Sequence, residues 1–80
     1  MEKKSTTFTA THGVMTTEVG VISGELELLT TCDDSGMLSL KITYAGAKEW
    51  YTLPGKDYLL NDQRDHEVVH RMLASVLERP

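Results

Sequence analysis

The sequence predicts an α+β fold, an antiparallel β-meander of about four to five strands packed on one C-terminal amphipathic helix. Three observations carry this expectation. Apolar residues alternate with polar ones through the middle of the chain. Clusters of Gly, Pro, Asp and Ser punctuate the alternation at intervals suited to short strands. Residues 61–79 switch to a helical period. Eighty residues hold one domain, expected as 1–80, with 1–5 disordered, 6–60 forming the sheet and 61–79 the helix.

From the N-terminus, Phe8 and Ala10 alternate with threonines before His12-Gly13. Met15, Thr17, Val19 and Val21 then alternate up to Ser23-Gly24. Reading both glycine pairs as turns gives a first hairpin. The clearest hairpin pairs 25–32 with 37–45: Leu26, Leu28, Thr30 and Cys32 share one face, Leu38, Leu40, Ile42 and Tyr44 share another, and Asp33-Asp34-Ser35-Gly36 makes the turn. Residues 49–53, Glu-Trp-Tyr-Thr-Leu, form a further strand that stops at Pro54-Gly55. Trp50 and Tyr51 are adjacent, so one is expected to fill the core and the other to face outward.

The helix is expected to begin at Asn61 or Asp62, with an Asp62 side chain capping the first turn, Asp65 and Glu67 complementing its positive end and Arg79 its negative end. Val68, Val69, Met72, Leu73, Val76 and Leu77 recur at helical spacing and are expected to pack inward as one stripe. The sheet face away from the helix then stays uncovered. Glu25, Glu27 and Leu29 on that face, with Met37 and Trp50, are the residues expected to meet a partner.

One pattern carries chemistry. His66-Glu67-Val68-Val69-His70 matches H-E-x-x-H, in which two histidines one turn apart ligate zinc and the glutamate acts as general base. Over those five residues the chain resembles the zinc metalloproteases. The longer metzincin pattern needs Gly at 73 and His at 76, where Leu73 and Val76 stand, and only ten residues follow His70, too few for a second helix bearing a glutamate ligand. His12 or Cys32 is the remaining source of a third ligand. The favoured reading is therefore two solvated histidines on the helix flank, with Glu67 paired to Arg71 at i,i+4. The alternatives are zinc held by the His pair, as a half-site between two protomers or as a minimal metallohydrolase with Glu67 as base.

Other chemistry finds little support. Asp33 and Asp34 lack the alternating donors and terminal Glu of a Ca²⁺ loop. Cys32 with His12 as base defines no nucleophilic arrangement. The glycines match no phosphate-binding motif. A net charge of −4, with eight basic residues scattered from Lys3 to Arg79, disfavours direct nucleic-acid binding. Met1-Glu2-Lys3-Lys4 runs into Ser5-Thr6-Thr7 instead of an apolar stretch, so neither a secretory signal nor a membrane span is expected. A lone cysteine suits a reducing compartment, and the cytoplasm is the expected location. Together these point to a non-catalytic interaction module that binds another protein as a regulator or inhibitor of the kind phages and mobile elements carry, with no catalytic residue and no cofactor. The third alternative is a structural homo-oligomeric subunit, since a core this small gains from a second copy.

Overall fold

The computed structural model of the protein describes residues 1–78; the expected role of Arg79 at the helix end lies outside them. Four strands, β1 (Glu2–Thr16), β2 (Gly20–Cys32), β3 (Leu38–Tyr44) and β4 (Tyr51–Thr52), form one antiparallel sheet in the order β1-β2-β3-β4. A 3-10 turn (Gln63–Asp65) leads into one helix, α1 (His66–Leu77), which packs on one face. The expected α+β meander with a C-terminal helix is the observed architecture. No helix among the described residues is long and apolar enough to cross a membrane.

The β2–β3 hairpin follows its alternation. Leu26 faces Tyr44, Leu28 faces Ile42, Thr30 faces Leu40 and Cys32 faces Leu38, and the β2 members of these pairs are all buried. The Asp33 carboxylate closes the turn by accepting from the backbone N–H groups of Ser35 (2.9 Å) and Met37 (3.0 Å) and from the Ser35 hydroxyl (2.6 Å). These bonds, the Ser35 hydroxyl first, hold its carboxyl below the usual aspartate range. Gly36 sits at φ +93° in that turn, and a Cβ there would stand 2.6 Å from the Leu60 carbonyl oxygen, so glycine is required twice over.

The N-terminal half differs from expectation in two ways. Residues 2–5 stand inside β1, with Glu2 opposite Cys32 and Ser5 opposite Leu29, where disorder was expected. Lys3 and Ser5 are exposed to solvent, Glu2 and Lys4 turn toward polar partners on α1, and the ladder with β2 supplies the order. Second, His12-Gly13 and Ser23-Gly24 are not turns. Ala10 pairs with Gly24 and Val14 with Ile22, which leaves Thr11, His12 and Gly13 bulging opposite Ser23. The true hairpin turn lies at 17–19, where the Thr16 hydroxyl donates to the Gly20 carbonyl (2.6 Å) and accepts from the Val19 N–H (3.2 Å). Val14, Thr16 and Ile22 are buried, while Met15, Val19 and Val21 are exposed.

The bulged hairpin brings its tip back to β4. Thr17 N–H donates to the Thr52 carbonyl (2.9 Å), and the Glu18 carboxylate accepts from both the Thr52 N–H and its hydroxyl, each at 2.7 Å. The Thr52 N–H is the main reason the Glu18 carboxyl lies below its ordinary value. Inside the curved sheet, Phe8, Ala10, Val14, Ile22, Leu26, Leu28, Ile42 and Leu53 form the core, with Tyr51, Leu73, Ala74 and Leu77 packed against it. Full burial of a side chain such as Leu26 or Ile42 contributes about 1.5–3 kcal/mol.

Candidate functional site

Asp62 caps the turn that starts the helical segment, as expected, its carboxylate accepting the Arg64 N–H at 2.9 Å. The phase of α1 that follows is not the expected one. The positions facing the sheet are His66, His70, Leu73, Ala74 and Leu77, which are themselves spaced as a helical stripe. His66 is 0% and His70 4% exposed, whereas Val68, Met72 and Val76 are 49%, 56% and 61% exposed. The favoured reading of two solvated histidines is thus overturned, and with it the inward packing of three members of the apolar stripe.

What holds the imidazoles inside is a continuous hydrogen-bonded chain. Thr30, completely buried on β2, has its hydroxyl 2.7 Å from His66 Nε2 and 2.8 Å from His70 Nδ1. The Thr6 hydroxyl on β1 lies 2.7 Å from His70 Nε2, and His66 Nδ1 lies 2.7 Å from Glu2 Oε1. With Glu2 ionised and both rings neutral, one assignment of hydrogens satisfies every contact. Thr6 O–H donates to His70 Nε2, His70 Nδ1–H to Thr30, Thr30 O–H to His66 Nε2, and His66 Nδ1–H to Glu2. Among the described residues no buried side-chain polar atom lacks a partner. The network therefore docks α1 onto two strands that lie 36 to 64 residues away in sequence.

Charge follows from this burial. Removal from water pushes the His70 imidazole below the ordinary histidine value, and the neighbouring His66 and then Lys4 push the same way. The hydrogen bond from His66 holds the Glu2 carboxyl below the usual glutamate range, with Lys4 assisting. Glu67 is exposed and turned to Lys4, 4.0 Å away, and is not brought to the imidazoles. The base that a zinc hydrolase motif requires is thus separated from its would-be ligands, whose ring nitrogens are all engaged by Thr6, Thr30 and Glu2. Among the described residues no three His, Cys, Asp or Glu side chains cluster as a metal site.

Glu2, His66 and Thr30 do reproduce the acid–imidazole–hydroxyl order of a hydrolytic triad. In this setting Thr30 has no exposed surface and its oxygen already accepts from His70, so a substrate carbonyl has no approach to it. An open cleft of about 530 Å³ adjoins Glu2, but Lys4 and Arg64 there are offset by Glu2, Asp34 and Glu67, so it presents no dominant charge to a ligand. Cys32, also on that cleft, is buried, and removal from water raises its thiol above the ordinary value.

The surface of α1 tells a different story. Val68, Met72 and Val76 make an exposed ridge at i, i+4 and i+8, beside Val69 and Leu73. Val69 and Leu73 in turn line a groove of about 360 Å³ with Leu38, Leu40, Tyr58 and Leu59. Of the expected partner residues, Met37 lies nearest this groove, because it forms a bridge with Leu59. Glu25, Glu27 and Leu29 alternate along the opposite face of β2, where the Ser5 hydroxyl donates to Glu27. Trp50 sits 37% exposed in the β3–β4 connection, while its neighbour Tyr51 packs on the core. The five residues are therefore spread over three places. Leu59 and Tyr58 were not among the expected partner residues, because they lie in a connection without regular period; their apolar character after Pro54-Gly55 was the available signal. No protein-family model, curated protein or solved structure matches this chain.

Proposed function

We propose that this protein is a non-catalytic interaction module, a regulator or inhibitor that seats an amphipathic helix of another protein against α1. The exposed ridge of Val68, Met72 and Val76 carries this reading. A ridge at i±4 spacing with a parallel groove beside it is the surface onto which a second helix packs, at a crossing angle near −50° in the commonest class. Continuity with the Leu38–Leu59 groove lets the partner bury apolar side chains on both sides of the ridge. Apolar surface collected in one strip, with the polar imidazoles withdrawn beneath it, is the reverse of what a helix shaped only for solubility needs. The buried, fully bonded state of His66 and His70 favours a scaffold role for the H-E-x-x-H segment over a catalytic one. A cytoplasmic setting suits the single buried, reduced Cys32.

Photo-crosslinkers placed at positions 72 and 76, on α1, and at 25 and 29, on the far sheet face, test the proposal in cells. The expected result is one protein captured from the α1 positions alone, whose affinity for the purified chain falls at least about tenfold in Met72→Glu. Capture confined to positions 25 and 29 would move the interface to the open sheet face and overturn the α1 reading. Capture of a second copy from position 72 would overturn the heterologous partner.

A further inference from the structure

The sheet has one long open edge. β1 is first in the strand order, and its nine residues from Glu2 to Ala10 pair with β2 without interruption, a run of about 30 Å at the rise of an antiparallel strand. Among the described residues the backbone of this run makes no main-chain hydrogen bond outside the β1–β2 ladder. The opposite edge is managed differently. β4 is two residues long, and beyond it Leu53 N–H donates to Leu40 and Leu38 N–H to Tyr58, while the hairpin tip covers Thr52. α1 meets β1 through the side chains of Glu2, Lys4 and Thr6 on the inner face and leaves the backbone edge unused.

Proteins usually guard such an edge with charge, proline or a bulge. From Ser5 to Ala10 there is none, and the bulge begins only at Thr11. We infer that the β1 edge pairs antiparallel with β1 of a second copy, centred on Thr7, joining the two sheets into one of eight strands. The pattern of charge selects this occupant and this direction. Centred on Thr7, the pairing sets Lys3 against Thr11, Lys4 against Ala10 and Ser5 against Thr9 of the second copy, so the like-charged lysines stay at opposite ends. A parallel pairing in register would stack them. Ser5, Thr7 and Thr9 then meet hydroxyl to hydroxyl on the outer face, a favourable cross-strand combination of residues suited to strands. This interface is separate from the α1 ridge, so either can fail alone.

Sedimentation velocity from micromolar to near-millimolar concentration is expected to resolve a monomer–dimer equilibrium. Thr7→Asp, which places two carboxylates at the two-fold axis, weakens the dimer about fivefold or more, whereas Met72→Glu, remote from the edge, leaves it unchanged. Mild oxidation of Thr7→Cys gives a linked dimer faster than Thr9→Cys, and wild type, with only buried Cys32, gives none. A chain that stays monomeric throughout overturns the inference. So does a dimer that is indifferent to Thr7→Asp or is linked no faster through position 7 than through position 9.

Discussion

Thr30→Val is the most informative single change in this protein. It keeps volume and β-branching at a fully buried strand position and removes only the hydroxyl shared by two imidazoles. His66 Nε2 then loses its donor and His70 Nδ1–H its acceptor, both within buried rings. A buried polar group left without a partner costs about 1–3 kcal/mol, so two cost about 2–6 kcal/mol. A domain of this length has about 4–12 kcal/mol of stability in total, and each kcal/mol is worth about 4–8 °C in Tm. Thermal unfolding followed by circular dichroism should therefore show a fall of at least about 8 °C, with some preparations already unfolded at room temperature. Thr31→Val, on the neighbouring position of the same strand but the other face, serves as control and should move stability by no more than about 0.5 kcal/mol. A Thr30→Val loss below about 1 kcal/mol would refute the claim that this hydroxyl anchors the helix.

Other outcomes follow from the same geometry. Because the folded-state value for His70 is depressed, the unfolded chain takes up the proton first; stability is complete above the ordinary histidine value, near 6.5, and falls as pH drops from there toward the depressed folded value. Denaturant midpoints measured between neutral pH and pH 5 should show this loss, and His70→Gln should flatten it. Glu2, whose value is also depressed, adds a second loss only below the ordinary glutamate range, near 4.5. Met72→Lys should change stability by no more than about 0.5 kcal/mol, since Met72 is 56% exposed; a loss of the 2–5 kcal/mol typical of truncating a core methionine would restore the inward-facing stripe.

How much of this was legible in the sequence depended on the range of the interactions involved. The β2–β3 hairpin was legible because alternation from Leu26 to Cys32 and from Leu38 to Ile42, with Asp33 and Gly36 between them, encodes it within a few residues. The first hairpin was blurred because a glycine at a bulge and a glycine at a turn look alike locally; only the pairing of Ala10 with Gly24 and Val14 with Ile22 separates them. α1 was legible as a helix but not in phase. Hydropathy ranks Val68, Met72 and Val76 above His66 and His70, yet the chain buries the imidazoles because Thr6 and Thr30 meet them. A threonine standing between Leu28 and Cys32 on an otherwise apolar inner face was the one local sign that a polar partner lay opposite.

A single hydrogen-bonded chain from Thr6 to Glu2 fixes the helix to the sheet. Nitrogen-15 NMR of the histidine rings slightly above neutral pH tests it most directly. His66 and His70 are each expected to hold hydrogen on Nδ1 and to present Nε2 as an acceptor. Rings at 66 and 70 that average between tautomers would contradict this, and α1 would then be held by its apolar contacts alone.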